Sequence, residues 1–216
     1  MDAELTARNV ELPGGPIRLL QPAGSAELPD DGGIEWAPIA PYWSVLWRSG
    51  VALAREVAGS DVRGLRVVEL GCGLGLPSIA AARGGALVTA TDADPEALEL
   101  LDRNAAADGV ELETHAVDWA EPEGLLERGP FDLALAADVL YDPAPAADLT
   151  ALLPRLASEA WIADPGRAAA KPFIAALSSS RATRTTSGVV TVHRLPASGR
   201  RPRGERGQWR LDDRAI

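Results

Sequence analysis

Three glycines and two acidic residues form the clearest chemical pattern in the sequence. Gly71, Gly73 and Gly75 alternate directly after a short apolar run, Glu69 stands two residues before the first glycine, and Asp92 closes a second apolar run. Glycines at this spacing let a backbone turn sharply and approach a ligand without hindrance from Cβ atoms. A carboxylate about 20 residues further on can accept hydrogen bonds from a ribose diol. The stretch therefore indicates a strand, a glycine loop, a helix and a second strand that bind a nucleotide-type cofactor.

Two side chains narrow the type of cofactor. A dinucleotide fingerprint requires a glycine where this chain has Leu76,. The carboxylate of Glu69 would repel a pyrophosphate, whereas it would tolerate a cationic sulfonium with an amino-acid tail. An ordinary buried strand with a glycine turn is the alternative, and Asp92 at the expected distance argues against it.

Two later apolar runs also end in polar and aromatic residues. Asp118 and Trp119 follow the run 112–117, and an Asp-x-x-Tyr pattern, Asp138 to Tyr141, follows the run 131–137. Open α/β sheets bind ligands at the carboxyl ends of their strands. An acid beside an aromatic ring suits adenine, which needs an acceptor for its exocyclic amine and an apolar neighbour.

Alternating strands and helices must position these residues, and they predict an α/β fold with a parallel sheet and right-handed crossovers. The predicted strands are 67–70, 86–91, 112–117, 131–137, 161–163, 182–187 and 189–195, and the predicted helices are 49–58, 76–83, 95–107, 145–156 and 170–178. Asp94 is the expected N-cap of the third helix, with Pro95 in its first turn.

The chain divides into three predicted parts. Residues 1–40 are an N-terminal extension laid over the domain, in which Val10 to Leu12 and Ile17 to Leu20 predict a hairpin,. Residues 41–197 form the domain itself. Residues 198–216 hold six of the arginines and are predicted to form a flexible Arg-rich tail,.

Composition and charge exclude several classes of protein. The net charge of −10 makes the chain a poor partner for phosphate backbones, so nucleic-acid binding is not expected,. The sequence has no apolar run long enough for a membrane span, and its polar start predicts no targeting signal, so the expected location is the cytoplasm,. Cys72 is the one cysteine, which excludes an internal disulfide and a cysteine-based zinc cluster,. No metal is expected, and a monomer is favoured.

These motifs together resemble the class I, seven-β-strand S-adenosylmethionine-dependent methyltransferases of the family 16 type. The resemblance rests on Trp47, the stretch Glu69 to Gly75, Asp92, Asp118-Trp119 and Asp138 to Tyr141. Pro41-Tyr42-Trp43 and Asp164-Pro165-Gly166-Arg167 resemble the branch that methylates lysine in the β subunit of electron transfer flavoprotein. The resemblance covers residues 41–178 and implies a Rossmann-like, doubly wound sheet of seven strands, mostly parallel with one antiparallel strand near the C-terminus.

The resemblance also implies a cofactor and roles for particular residues. The cofactor is S-adenosyl-L-methionine, and its expected contacts are Trp47, Glu69, Gly71, Cys72, Gly73, Gly75, Asp92, Asp118, Trp119 and Ala137. Asp138 and Tyr141 are the expected catalytic residues that hold the incoming amine. Trp43, Asp164 and Arg167 are the expected substrate contacts. Core packing is the alternative role of Trp43 and Trp47, and Arg167 would either bind a substrate carboxylate or pair with Asp164.

Three functions compete at this point. The first is a protein lysine methyltransferase, in which a neutral amine attacks the sulfonium methyl in line, so that the lysine, with an ordinary pKa of about 10.4, must first lose a proton. The second is a small-molecule N- or O-methyltransferase. The third is a nicotinamide-dependent oxidoreductase or a non-catalytic nucleotide binder. Leu76 argues against the oxidoreductase, and the pair Asp138 and Tyr141 argues against the non-catalytic binder.

Overall fold

The computed structural model describes residues 4–25, 41–178 and 181–196. The strands are β1 Leu5–Val10, β2 Ile17–Pro22, β3 Arg66–Leu70, β4 Leu87–Asp92, β5 Glu113–Ala116, β6 Phe131–Ala137, β7 Ala157–Asp164, β8 Thr183–Ser187 and β9 Val190–Pro196. The helices are α1 Arg48–Ala58, α2 Leu76–Arg83, α3 Pro95–Ala107, α4 Glu123–Arg128, α5 Pro143–Leu156 and α6 Ala170–Leu177, with a short 3-10 helix at Tyr42–Ser44.

Seven strands form the main sheet in the order β5-β4-β3-β6-β7-β9-β8. The strands β5, β4, β3, β6 and β7 run parallel, and β9 lies antiparallel to both β7 and β8. The predicted α/β architecture, with one antiparallel strand near the C-terminus, is confirmed. The chain reverses its direction of travel across the sheet between β3 and β6, which is where sheets of this type leave a crevice for ligands.

Two hydrophobic cores lie on opposite faces of this sheet. One core joins α1, α2 and α3 to the sheet through residues such as Leu53, Ile79 and Leu101. The other joins α4, α5 and α6 to the opposite face through residues such as Leu125 and Leu149. Because β3 and β6 are covered on both faces, their sequences are almost continuously apolar,.

The hairpin β1–β2 packs on the edge of the first core, against α2 and α3. Asn104 of α3 is fully buried and binds the hairpin backbone at Leu20, accepting from its N–H (2.7 Å) and donating to its carbonyl (3.2 Å). The same side-chain amide donates to the carbonyl of Leu74 in the glycine loop at 3.2 Å. One side chain thus connects the N-terminal hairpin to the loop.

Most predicted elements are present, with three differences. The first strand of the hairpin is Leu5–Val10 and not Val10 to Leu12, because the strand is exposed along most of its length and lacks apolar alternation. The fifth strand of the sheet begins at Ala157 and not near Trp161, because α5 runs into β7 without a loop. Helix α4 was not predicted, since its six residues are too few for a periodic pattern,.

The predicted cap of α3 is confirmed, because the side chain of Asp94 accepts a hydrogen bond from the Glu96 N–H at 2.9 Å. Residues 26–40 of the predicted extension and the predicted tail, 198–216, lie outside the described residues. Within the described ranges, no helix combines the length and the apolar character needed to cross a membrane.

Candidate active site

A cleft with a volume of about 780 Å³ opens at the carboxyl ends of β3, β4 and β6. Thirteen of the fifteen predicted site residues line it, and these are Trp43, Trp47, Glu69, Gly71, Cys72, Gly73, Gly75, Asp92, Asp118, Trp119, Ala137, Asp138 and Tyr141. Asp164 and Arg167 do not line it. The residues lie far apart in the sequence and meet here because parallel strands end at one edge of the sheet.

The glycine loop has a shape that only glycine fits at two of its positions. Gly73 has a φ of +50°, and a Cβ there would lie 2.9 Å from the carbonyl oxygen of Trp43. Gly75 has a φ of +76°, and a Cβ there would lie 2.0 Å from a methyl carbon of Leu101. The loop is therefore pressed between the Tyr42–Ser44 turn and α3, and its remaining open side faces the cleft.

Glu69 is buried at the end of β3, with 1% of its surface exposed. Its Oε2 accepts hydrogen bonds from the Ser78 backbone N–H (2.8 Å) and the Ser78 hydroxyl (2.5 Å), both at the start of α2. Burial raises the pKa of Glu69 to about 8, although the hydrogen bonds from Ser78 oppose that rise. A cation placed beside this carboxyl in the cleft would favour its ionised form.

Asp92 ends β4 and supports the glycine loop from beneath. Its Oδ2 accepts from the Gly73 N–H at 2.9 Å, and its Oδ1 accepts from the Asp94 N–H at 3.1 Å. Burial raises the pKa of Asp92 and these backbone hydrogen bonds oppose the rise. Each carboxylate oxygen has a further lone pair, so Asp92 can still accept from a ligand hydroxyl.

Cys72 has no role as a nucleophile in this geometry. Burial raises the pKa of its thiol, and the nearby carboxyls of Glu69 and Asp92 raise it further. Its backbone N–H donates to the carbonyl of Thr91 at 2.9 Å, which joins the glycine loop to β4. Cys72 is thus a small buried residue in the turn.

Asp118 and Trp119 lie at the end of the cleft beyond β5. Asp118 is exposed, and its Oδ1 accepts from the Ala120 N–H at 2.9 Å. The ring of Trp119 is half-buried and packs 3.4 Å from the position that a Cβ of Gly71 would occupy. An acceptor and an apolar ring thus flank one pocket beside the glycine loop.

Four aromatic residues form the wall at the other end of the cleft. Trp43 is buried, and Trp47 donates from its indole nitrogen to the carbonyl of Tyr42 at 3.0 Å. The rings of Tyr42 and Tyr141 stack with centroids 6.4 Å apart, although each residue is about half exposed (50% and 53%). Burial, followed by the negative charge of Asp92, raises the pKa of Tyr141, so its hydroxyl stays protonated at neutral pH. The pair forms an aromatic rim at the mouth of the cleft.

Asp138 lies between the aromatic rim and the glycine loop, directly after β6. It has a φ of +60°, which non-glycine residues rarely adopt, and its N–H donates to the carbonyl of Ala163 at 2.9 Å,. Its carboxylate is bound by Arg167 and Ser49. A rare backbone conformation held by neighbouring structure is common where a side chain must be aimed at a ligand.

Several contacts at this site were not predicted from the sequence. Two of them, Ser78 binding to Glu69 and Ser49 binding to Asp138, depend on how α2 and α1 pack on the sheet. A third is the stacking of Tyr42, in the short 3-10 helix, on Tyr141, which follows β6. Arg167 was expected to bind a substrate carboxylate or Asp164, whereas its guanidinium binds Asp138. Only its backbone N–H bonds to Asp164.

The charge of the lining is one-sided. Among the described residues that line the cleft, six carry carboxyl groups and none is Lys, Arg or His. These six are Glu69, Asp92, Asp94, Asp118, Asp138 and Asp148. The cleft therefore attracts cations and disfavours anions.

Comparisons with known proteins agree with this geometry. The family described as lysine methyltransferase matches residues 42–163. The electron transfer flavoprotein beta subunit lysine methyltransferase of Xenopus laevis is 38% identical over 143 residues, which cover 62% of this chain and 56% of that protein. Protein N-lysine methyltransferase METTL21A of Danio rerio is 40% identical over 105 residues, which cover 45% of this chain and 48% of that protein. The chain thus spans about half the length of the curated relatives it matches.

Solved structures share the fold at low sequence identity. A 16S rRNA methyltransferase of T. thermophilus in complex with AdoMet and guanosine superposes with a TM-score of 0.63 at 17% identity, covering 89% of this chain and 50% of that one. Magnesium protoporphyrin IX methyltransferase of Synechocystis with bound SAM superposes with a TM-score of 0.53 at 22% identity, covering 69% and 78%. The fold is that of class I methyltransferases, and the family match covers more than half of the sequence. The chain therefore belongs to the lysine methyltransferase family.

Proposed function

We propose that this chain is an S-adenosyl-L-methionine-dependent protein lysine N-methyltransferase. The observation that carries the proposal is the cleft itself, in which a glycine loop, an aromatic rim and Asp138 surround a space lined by carboxylates and, among the described residues, by no basic side chain. The relatives' names support a protein acceptor, and the β subunit of electron transfer flavoprotein is the acceptor that the Xenopus laevis relative suggests. A small-molecule amine is the alternative acceptor.

The residues present fit the cofactor. Gly71, Gly73 and Gly75 line the cleft without side chains, so a ligand can approach the loop backbone closely,. Glu69 would hold the amino end of the cofactor, Asp92 the ribose, and Asp118 with Trp119 the adenine, with Gly71, Cys72, Gly75, Trp47 and Ala137 completing the surface. When bound, S-adenosyl-L-methionine supplies a methyl group that its positive sulfur already activates.

The task left to the protein is to align the acceptor and to exclude water. Asp138 would hold the incoming amine by its carboxylate, and the Tyr141 hydroxyl would share that contact. Tyr42 and Trp43 would enclose the alkyl part of the lysine in an apolar channel. Such a channel disfavours the ammonium form and therefore favours the neutral amine that can attack. Asp164 and Arg167, behind Asp138, would influence the acceptor through Asp138.

We further propose that residues 41–197 are the catalytic domain, with 1–40 as an extension and 198–216 as a tail. A monomer in the cytoplasm remains the prediction from the sequence. Nucleic acid is a disfavoured partner because the net charge is −10,.

The first experiment is calorimetric titration of the protein with S-adenosylhomocysteine, with NAD as the control. We expect S-adenosylhomocysteine to bind and NAD not to bind, because Leu76 and the buried Glu69 do not suit a pyrophosphate. Binding of NAD alone would refute the assignment of the cofactor.

The second experiment locates the acceptor and tests Asp138. Tritium-labelled S-adenosyl-L-methionine is incubated with the enzyme and either recombinant electron transfer flavoprotein β subunit or cell extract. We expect label in a protein band, and label in the small-molecule fraction would favour the alternative acceptor.

Asp138→Ala should lower turnover at least about 100-fold, as expected for loss of a positioned charged contact. Its affinity for S-adenosylhomocysteine should stay within a few-fold.

The matched control for that substitution is Glu99→Ala, on the exposed face of α3. It removes a carboxylate of the same domain without touching the cleft, so turnover should stay at the native level. Loss of cofactor affinity in Asp138→Ala with turnover little changed would contradict the role of Asp138 as an acceptor contact.

A further inference from the structure

The segment after β7 forms a tight turn that has no direct access to the cleft. Asp164 is 2% exposed, and its Oδ1 accepts from the N–H groups of Gly166 (2.6 Å) and Arg167 (2.8 Å). Gly166 has a φ of +92°, a conformation that L side chains rarely adopt. The turn therefore fixes the direction in which the Arg167 side chain leaves the backbone.

That direction brings the guanidinium onto Asp138. Arg167 Nε and Nη2 lie 2.6 Å and 2.5 Å from Asp138 Oδ1, and both side chains are largely buried. The hydroxyl of Ser49, on α1, donates to Asp138 Oδ2 at 3.1 Å. Charge-assisted hydrogen bonds of this kind are short and directional. Both carboxylate oxygens are thus held, one by the turn and one by α1.

Asp138 lines the cleft, whereas Arg167 does not. Arg167 can therefore influence an acceptor through the position and charge of the Asp138 carboxylate. We propose that Arg167 is a positioning residue, and that the turn Asp164 to Arg167 holds the Asp138 carboxylate ionised and aimed at the acceptor amine. The statement that the amine is a methyl acceptor rests on the proposed function. The control of Asp138 by Arg167 does not depend on it.

Three groups act on the ionisation of Asp138. Burial raises the pKa of Asp138, the charge and hydrogen bonds of Arg167 lower it, and Asp164 raises it by its negative charge. Ser49 lowers the pKa by its hydrogen bond and brings no charge from α1. Removal of the Arg167 charge must therefore raise the pKa of Asp138. Removal of the Asp164 charge must lower it.

Because the two changes shift the pKa of Asp138 in opposite directions, they distinguish control of the Asp138 charge from a merely structural role of the turn. Arg167→Met removes the guanidinium and keeps an unbranched apolar chain, whereas Arg167→Lys keeps a positive charge. Asp164→Asn keeps a carbonyl oxygen that can accept from Gly166 and Arg167, so the turn can persist without its charge. Arg103→Met, on the exposed face of α3, is the control for loss of an arginine elsewhere.

The experiment is a carbon-13 NMR titration of the full-length protein labelled at the aspartate carboxyl carbons. The Asp138 signal is identified by its loss in Asp138→Asn. We expect Asp138 to titrate at a pH higher by about one or more in Arg167→Met, near the native pH in Arg167→Lys, and at a lower pH in Asp164→Asn. Arg103→Met should leave the titration unchanged. If Arg167→Met is unfolded, Asp164→Asn still shows whether the Asp138 titration moves to lower pH.

An Asp138 titration that does not move in Arg167→Met and Asp164→Asn, or that moves equally in Arg103→Met, would overturn the inference. Methyl transfer to electron transfer flavoprotein β subunit gives the functional readout. We expect Arg167→Met to lower kcat at neutral pH by about 100-fold and to recover as the pH rises, with the Kd for S-adenosylhomocysteine within about threefold. If the native enzyme methylates no protein, the proposed function fails, while the titration still decides the role of Arg167.

Discussion

Glu69 is a carboxyl group whose protonation should change when the cofactor site is filled. In the free protein its pKa is about 8 because the group is buried, so it is mostly protonated at pH 7,. A ligand ammonium beside it would favour the carboxylate. Binding of S-adenosylhomocysteine at pH 7 should therefore release close to one proton.

Calorimetry in two buffers of different ionisation enthalpy measures that release. The number of protons released on binding should fall as the pH is raised above about 8, where Glu69 is already ionised in the free protein. Glu69→Gln keeps an oxygen that can accept from Ser78 but cannot ionise, so it should abolish this release and weaken binding by about tenfold. The same proton release from Glu69→Gln would show that another group is responsible.

The stability of the free protein should depend on the same group. The pKa in the folded state, about 8, lies above the ordinary value of 4.5, so the protonated form is favoured in the folded state. The contribution of protonated Glu69 to the free energy of unfolding is complete below pH 4.5 and is lost as the pH rises through 8,. The advantage of Glu69→Gln over the native protein in urea denaturation should therefore grow with pH across this window.

At the scale of whole elements, the N-terminal hairpin should influence the cofactor site through one side chain. Asn104 of α3 holds the backbone of Leu20 in β2 and the carbonyl of Leu74 in the glycine loop. Asn104→Ala would leave these groups without their partner in a buried site. We expect the free energy of unfolding to fall by about 1–3 kcal/mol. Affinity for S-adenosylhomocysteine should fall about threefold or more, because the loop loses its connection to the hairpin.

Urea denaturation and calorimetry measure the two effects on the same protein. Asn9→Ala is the matched control, since Asn9 lies exposed on β1 of the same hairpin and should change neither quantity. If Asn104→Ala lowers stability but leaves the affinity unchanged, the hairpin supports the fold without supporting the loop.

The same elements show what the sequence can predict. The strands β3, β4 and β6 and the helix α3 were predicted within a few residues, because these buried strands are rich in apolar residues and α3 has a cap at Asp94. The exposed strand β1 and the short helix α4 carry weak periodic signals, so they were misplaced or missed. The pattern of apolar residues along the sequence indicates which residues are buried. It does not indicate which strand pairs with one whose side chains face water.

The candidate site was predictable in position but not in its contacts. Residues that follow successive parallel strands must meet at one edge of the sheet, which placed Glu69, Asp92, Asp118 and Asp138 together. The contact of Arg167 with Asp138 spans 29 residues and depends on a turn whose direction is set by Gly166. The spacing of residues in the sequence does not predict the direction of that turn.

For the whole molecule, charge should determine which acceptor segments are used. The chain carries a net charge of −10, and the described lining of its cleft combines six acidic side chains with no basic one. Attraction of a cationic segment by such a field is strong at low ionic strength and screened beyond about 8 Å at physiological salt. A lysine flanked by basic residues should therefore be methylated faster than a lysine flanked by acidic residues.

Two lysine peptides of equal length, one with arginine neighbours and one with glutamate neighbours, test this expectation. We expect kcat/KM to favour the basic peptide by about tenfold or more at low salt. The preference should shrink as salt is added, because screening slows the association of enzyme and peptide more than it slows methyl transfer. Asp148→Asn, which removes one carboxylate from the cleft lining, should reduce the preference, whereas Glu127→Gln on the exposed face of α4 should not. Equal use of both peptides at low salt would mean that shape, and not charge, selects the acceptor segment.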